Sequence, residues 1–437
     1  MTGGGPSGVC AAIAAARLGV DVLLVEQYGY LGGMSTAGSV APWMTFHDKQ
    51  GKQIIFGIAQ EIVDRLVETG HSRGHVVDTM GETSTVTPFD PEQLKYLMAQ
   101  MCLEAGVRLL FHTFIFDVER DGRKITYIKA ANKDGELRIE ADRFIDATGD
   151  GDLMALSGCA FEKGRSEDGM MQPVTMCFTM GNVDFDKIRL YMKEHNDDFH
   201  FNTLFDKLNE LPNSVSGFFS KWNLGKVEMG LNINRDRVLF FRGYRDDIAT
   251  VNTTRVIGID GTNTEDLTKA EVEGRHQVMM VSELLKRYVP GFENAYLLST
   301  AAVIGVRETR RLVGSYVLTK EDLQSGKIFD DTIALNSYTI DVHQPDGSGF
   351  TQYEVPTYGV PYRAMLPNEI DNLLVAGRCI STTREAQGSI RTTPCCMAMG
   401  QASGIAAALD IEKGKALQDI DITRLQAGLK EQKVYLG

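Results

Sequence analysis

The sequence predicts an α/β protein in which a discontinuous Rossmann-like domain, a parallel sheet flanked by helices and an antiparallel hairpin element, carries an inserted α+β domain. Three observations lead there. Gly3, Gly5 and Gly8 make a G-x-G-x-x-G turn, followed by the Ala-rich stretch Val9–Leu18 and the apolar strand Asp21–Val25. A second apolar segment, Phe144–Ala147, runs directly into Thr148-Gly149. A third, Asn372–Ala376, ends in Gly377-Arg378 and precedes a helix of small residues, Cys395–Leu409. Pieces of one site thus lie at both ends of the chain, so the middle must be an insertion.

Each part of the first unit has a physical role. Gly3 permits the tight turn, Gly5 lets the backbone approach a pyrophosphate, and Gly8 lets helix pack closely on strand. Pro6 and Ser7 belong to the same turn, where the helix start offers unpaired N–H groups and a positive dipole end to phosphates. Glu26, about 20 residues on, can accept hydrogen bonds from ribose hydroxyls and would repel a 2′-phosphate, which favours FAD or NAD over NADP. The loop that follows has Gly32, Gly33, Met34, Ser35 and Thr36 at its centre and can cross close to a pyrophosphate or ribityl chain.

The second and third segments complete the pattern. Phe116–Glu119 and Ile125–Ala130 alternate as antiparallel strands around a turn. The strand entering Ala147-Thr148-Gly149, with Asp152 just beyond, sends backbone past a ligand at the strand's carboxyl end, where open α/β sheets bind cofactors. Pro394 suits the first turn of the last helix, and Gly400, Ala402 and Gly404 permit close packing. One feature departs from the pattern. A strand of about five residues should precede the motif and occupy the middle of the sheet. Only Met1 and Thr2 precede Gly3. Either the chain is truncated, or its start is misassigned, or the sheet survives with a shortened central strand, and weakened cofactor occupancy is expected.

Composition sets the outer limits. The 437 residues leave room for two domains. Residues 1–160 and 366–437 are assigned to the nucleotide domain and 161–365 to a substrate or cap domain, with 45–90 a candidate contributor to it. A net charge of −13 argues against a nucleic-acid partner, since phosphate contacts need a basic face, but leaves room for a local basic pocket. The best apolar run, Ala11–Val25, is broken by Arg17 and Asp21, so no membrane partner is expected. The amino terminus lacks a secretory pattern, which makes a cytoplasmic location the default. The seven cysteines include no C-x-x-C spacing, so no metal is expected.

Taken together, the segments GGGPSG…E, LGGMSTAG, IDATGDGD, GVRETRRLVG, NLLVAGRCIS and GSIRTTPCCMAMGQASG resemble the FAD-dependent oxidoreductase family distantly related to fumarate reductase flavoproteins. They are also similar to the flavin portion of the heterodisulfide reductases. The resemblance extends over nearly the whole chain and implies a two-domain flavoprotein with FAD extended across the nucleotide domain. By that resemblance Gly3, Gly5, Ser7, Gly8 and Glu26 would hold the ADP half, and Ile115 would meet the adenine through its backbone. Ala147, Thr148 and Gly149 would pass the ribose and pyrophosphate. Gly377, Arg378 and Arg391 to Cys395, Thr393 included, would lie by the ribityl chain and isoalloxazine. The cysteine clusters of the heterodisulfide reductase proteins are lacking, so iron–sulfur chemistry does not carry over.

The middle supplies candidates for chemistry. Arg307, in Gly305–Gly314, could bind a substrate carboxylate bidentately, or belong to a charged face in which Glu308 pairs with an arginine. His343, beside Asp341, offers a base with an orienting carboxylate, or a structural histidine. Arg363 could face the flavin cleft or serve structural pairing. Cys395 and Cys396 sit where a helix start lowers a thiol pKa, though small buried residues fit as well. The expected reaction is hydride transfer between a small polar or anionic organic substrate and flavin N5, with His343 moving the proton and the Cys395 helix start stabilising charge on reduced flavin. Only one G-x-G-x-x-G occurs, so the electron partner stays unassigned; a homo-oligomer is compatible. Two rivals remain. An electron-transfer subunit without a small substrate would show an exposed apolar patch and no closed pocket. A flavin-dependent RNA-modifying protein is disfavoured by the charge and would need a basic cleft.

Overall fold

Two hydrophobic cores organise the computed structural model, which describes residues 1–409, 411 and 414–437. The first is built on a parallel sheet. Leu23–Val25 pairs with Arg108–Leu110, and Phe144–Asp146 pairs with Leu373–Val375. Thr2 joins the two halves, forming parallel bridges to both Val25 and Asp146. Its N–H donates to the Ile145 carbonyl at 3.0 Å and its carbonyl accepts from Ala147 at 2.9 Å, while Gly3 N–H reaches Val25 at 2.9 Å. Two residues thus do the hydrogen bonding of a central strand, which satisfies the backbone groups of both neighbours.

The amino-terminal helix, Pro6–Ala16, lies against this sheet and is buried from Ser7 to Ala15. An Ala-rich sequence suits that position, because the helix is enclosed on most sides and has no solvent face to spend on charge. The helix Thr393–Ala408 crosses it at backbone distance. A Cβ on Gly400 would stand 2.1 Å from the Ser7 carbonyl oxygen, and one on Gly404 would stand 2.1 Å from that of Ala11. Three antiparallel strands, Phe114–Asp121, Lys124–Asn132 and Gly135–Glu140, form the hairpin element. Asn372 clamps it to the sheet, accepting from Ile125 N–H and donating to the Ile125 carbonyl, both at 2.9 Å.

The second core surrounds a five-stranded antiparallel sheet in the order Ser214–Gly217, Val238–Arg242, Ala249–Val251, Phe178–Gly181, Tyr296–Thr300. The helix Thr264–Tyr288 covers it, burying Ala270, Gly274, Val278, Val281 and Leu285 at helical spacing. Its start is capped by Asn263, which accepts from Glu265 and Asp266 N–H, and its last turn carries Lys286 and Arg287.

The packing divides the chain differently from the 161–365 span expected. The second cluster runs from Val174 to Ile304, whereas residues from Leu318 to Leu366 belong to the first. The reason is a strand pair, Thr332–Asn336 with Tyr358–Pro361, whose buried face meets the first core. Segment 45–90 serves both sides. Ile54, Ile62 and Phe89 enter the first core, while Arg73 donates to Asn213 at 2.8 Å and Thr79 accepts from Ser214 N–H at 2.9 Å. The stretch Gly305–Gly314 is extended, with Arg310–Leu312 paired to Phe161–Lys163.

Because helix meets helix without intervening side chains, Gly400→Ala and Gly404→Ala are each expected to cost about 1–3 kcal/mol through overpacking. Chemical denaturation measures this; an unchanged midpoint would mean that the two helices do not meet there.

Candidate functional site

The carboxyl edge of the parallel sheet collects the glycine-rich turn, the loop after Glu26 and the start of the last long helix. Gly3 has φ +89°, and a Cβ there would lie 2.6 Å from the Ala147 carbonyl oxygen; one on Gly8 would lie 1.9 Å from that of Gly3. Both are required by the fold itself. Gly5 differs, since a Cβ there finds nothing nearer than Gly33 Cα at 3.9 Å. It is also the N-cap of the Pro6–Ala16 helix and offers no side-chain cap, so first-turn N–H groups are left for a ligand. Nearby, the Ser7 hydroxyl is buried without a hydrogen-bond partner.

Glu26 shapes this turn. Its carboxylate accepts from Gly4 N–H at 2.6 Å and from Tyr28 N–H at 2.8 Å. Burial raises its pKa, opposed by those backbone donors. The remaining lone pairs are what a ribose could use. The loop beyond folds back on the turn: Gly32 N–H donates to Gly4 at 2.8 Å, and a Cβ on Gly33 would stand 2.9 Å from Gly5 Cα. Ser35 and Thr36 hold the loop itself, Ser35 accepting from Trp43 Nε1 at 2.9 Å and Thr36 donating to Leu31 at 2.8 Å. Met34 accepts from Val40 N–H through its carbonyl at 2.9 Å.

On the other side, Thr113 N–H donates to the Glu26 carbonyl at 3.0 Å, which brings Ile115 to the edge of the same region. Thr148 donates to Asp146 through both N–H and hydroxyl, and Gly149 takes φ +79°. Asp152 pairs with Arg310 at 2.8 Å, and Arg378 pairs with Asp150, so both are tied into a polar cluster beside the turn. Gly377, at φ +92°, packs against Ser7. Thr393 opens the last helix, which has no side-chain cap. Cys395 and Cys396 are buried there, and burial pushes both thiols up, Cys396 to about 12. Of the two readings of this helix start, the pair of small buried residues agrees with that burial and the activated thiolate does not.

Next to Thr392 and Thr393 lies a cavity of about 480 Å³ between the two cores. His343 and Arg307 both line it, whereas Arg363 does not. Arg363 sits on the outside, 3.7 Å from Asp331 and 4.7 Å above the Tyr316 ring, with 43% of its side chain exposed. Its expected place at the flavin cleft is thus corrected: the guanidinium lies outside the cavity, stacked on an aromatic ring and facing a carboxylate.

Within the cavity, Asp341 Oδ2 lies 3.3 Å from His343 Nε2 and 3.1 Å from Arg391. His343 Nδ1 lies 3.1 Å from the Arg255 guanidinium, which can only donate. Nδ1 must therefore accept, and Nε2 carries the proton toward Asp341. Burial, aided by Arg307 and Arg255, brings the imidazole down to about 4 against the pull of Asp341. Burial raises the Asp341 carboxyl, but His343, Arg391 and Arg307 outweigh it and hold it below the usual carboxylate range. Across the cavity Glu82 accepts from the Tyr338 hydroxyl at 3.1 Å; burial, with Asp341 and Asp78, raises it to about 8.

A model of FAD dependent oxidoreductases matches residues 1–429. The chain belongs to that family. Its cofactor is FAD, and it is an oxidoreductase enzyme with a Rossmann-like α/β fold. A p-nitrophenol 4-monooxygenase from Pseudomonas putida DLL-E4 superposes over 100% of this chain and 86% of its own, with a TM-score of 0.51 at 10% identity, a likeness of fold. A geranylgeranyl bacteriochlorophyll reductase-like protein from Thermoplasma acidophilum covers 99% of this chain and 82% of its own at TM-score 0.47 and 13% identity. Dihydrolipoyl dehydrogenase 3 of Haloarcula marismortui is 30% identical over 178 residues, 39% of this chain. The match spans only about a third of that relative's length, 34%.

The residues present fit FAD. The open side of Gly5, the uncapped helix start and the partnerless Ser7 hydroxyl could hold a pyrophosphate. Arg391 Nε, also buried without a partner, and Thr393 could meet the flavin end. Sequence reasoning missed Arg235, Arg255, Glu82 and Tyr338, all of which line the cavity. Arg235 and Tyr338 lie near legible features, the Arg235-Asp236-Arg237 charge triplet and the His343 strand. Arg255 and Glu82 carry no local signal at all.

Gly5→Val is expected to leave the fold intact, since a Cβ there meets only Gly33 Cα at an ordinary 3.9 Å, yet to abolish FAD binding by filling the pyrophosphate's space. Absorbance after desalting, with circular dichroism on the same sample, checks this. Retained flavin would reject the turn as the site.

Proposed function

We propose that this enzyme oxidises or reduces a small anionic organic substrate held in the cavity, with His343 as the proton-transferring base. The observation that carries the reading is the meeting of His343–Asp341 with an arginine-rich wall beside the start of the Thr393–Ala408 helix. Bound FAD supplies two-electron hydride chemistry at N5. The chain's own residues do the rest. Guanidiniums such as Arg307, held by the Pro173 carbonyl and the Thr175 hydroxyl at 2.7 Å, fix the pose of a carboxylate. Asp341 holds the imidazole's Nε2–H, so the base is Nδ1. That lone pair receives the Arg255 N–H until an incoming anion draws the guanidinium away; substrate binding therefore frees its own base. Glu82, protonated below about pH 8, presents a neutral acid on the facing wall.

A cavity of this size suits a small molecule, which favours an enzyme over an electron-transfer subunit with no substrate of its own. The wall is basic, as an RNA-modifying protein would require, but its enclosed volume suits a small anion better than a polynucleotide.

His343→Ala is expected to slow flavin reduction by roughly 10²–10⁴-fold with FAD still bound. Arg307→Ala is expected chiefly to raise the substrate concentration needed, and Arg363→Ala to leave kinetics unchanged. Stopped-flow reduction separates the three; an unaffected His343→Ala variant would sink the proposed role. The pH profile adds a second check. An imidazole held near 4 in the substrate-free enzyme stays deprotonated from neutral pH down to about 5, so the reduction rate at limiting substrate, which reports the free enzyme, should be flat there and fall with a midpoint near 4. A midpoint near the ordinary 6.5 would mean that the group is not this buried histidine.

A further inference from the structure

We propose, on the reading that the reaction takes place in this cavity, that its ligand carries at least two negative charges, as a dicarboxylate or a small phosphorylated acid does. Five guanidiniums line the cavity: Arg235, Arg237, Arg255, Arg307 and Arg391, of which Arg237 stands 3.6 Å from Asp236. Asp341 matches Arg391 at 3.1 Å. Among the described residues no carboxylate forms an ion pair with the other three. Arg255 donates to the carbonyls of Asn234 and Gly347 and to His343, and Arg307 to the Pro173 carbonyl and the Thr175 hydroxyl. These acceptors are neutral. The Arg235 guanidinium has no hydrogen bond or ion pair among the described residues, although Trp222 uses its backbone carbonyl.

The other nearby acids do not redress this balance. Asp236 is largely exposed and stands 3.6 Å from Arg237. Glu82 is raised to about 8 and so is mostly neutral at pH 7. Three cations are therefore left facing a shared, partly enclosed volume; burial, with repulsion from Arg391 and Arg255 against the pull of Asp341, lowers Arg307 to about 10, and burial with repulsion from Arg255, Arg307 and Arg237 lowers Arg235 well below its ordinary value. A monoanion can take a forked pair of hydrogen bonds from one guanidinium and still leave two without counter-charge. A ligand with two anionic groups can engage Arg307 beside the Thr393 helix start with one of them and the Arg235–Arg255 pair with the other.

The test titrates FAD-loaded protein with pentanoate, glutarate and propyl phosphate, following binding by calorimetry and by change in the flavin spectrum. The expected result is that glutarate, propyl phosphate or both bind at least about tenfold tighter than pentanoate. Whichever dianion is tighter identifies carboxylate or phosphate as the second group. Arg235→Gln should bring dianion and pentanoate within about threefold of each other while pentanoate affinity, flavin content and melting temperature hold; Arg235→Lys should keep the preference. Equal binding of all three probes, or a preference untouched by Arg235→Gln, overturns the inference. A preference seen by calorimetry with no change in the flavin spectrum would uphold the two-charge ligand while rejecting this cavity as the place of reaction.

Discussion

The site depends on the contact between Pro6–Ala16 and Thr393–Ala408, two helices almost four hundred residues apart that touch through glycine. The Ser7 and Ala11 carbonyls lie where Cβ atoms would be on Gly400 and Gly404, so no larger side chain allows the same approach. That approach sets the two helix starts side by side at the sheet's carboxyl edge. One leaves open space beside Gly5 at its uncapped start, and the other opens on the cavity. A wider crossing would separate the two dipole ends, and the cofactor's halves would no longer share one cleft.

A second constraint fixes what the insertion contributes. Glu308 is fully buried between Arg311 at 2.9 Å and Arg384 at 3.0 Å, and it also accepts from Gln172 N–H at 3.1 Å. Such a buried cluster is weak support for stability, because desolvation offsets most of the Coulombic gain. What it supplies is position. Glu308 is held inward by Arg311 and Arg384, while Arg307 beside it lines the cavity. The same run of arginines therefore serves both purposes weighed from the sequence: Arg307 lines the cavity, while Arg310 and Arg311 are taken up by Asp152 and Glu308.

The sequence was informative where chemistry is local. Gly3, Gly8 and Gly377 are legible because positive φ or close backbone approach leaves few alternatives, and the strand–turn–helix order around them follows from periodicity. The insertion was legible because matching fragments stood at both ends. Its boundary was not: residues 318–366 rejoin the first core because the strand pair within them packs its buried face there, a contact across a long separation that no local pattern records. Arg363 misled for a related reason. Its exposed stack on Tyr316 depends on where the Thr332–Asn336 strand pair settles, and a guanidinium in a sequence does not say which face it will occupy. The cavity wall was the least legible part, since Arg235, Arg255, Arg307 and Arg391 come from four separate segments and meet only in three dimensions.

That meeting gives the net charge of −13 a different meaning inside and outside. The acidic surplus lies on the surface, where it disfavours any extended polyanion that has to lie along it. Inside, five guanidiniums share a small volume with the carboxylates of Asp341 and Asp236, and a low-dielectric wall concentrates their field. Salt screens the outer charges within about 8–10 Å, while buried charges are screened much less. A small anion can therefore cross a weakly repulsive exterior and fall into a strongly attractive interior, whereas a long one meets the repulsion along its whole length. Selection by size follows from charge placement alone. Burial, aided by the same field, holds His343 neutral, so the groups that draw the anion in also help keep the imidazole ready to take a proton once Arg255 turns to the ligand.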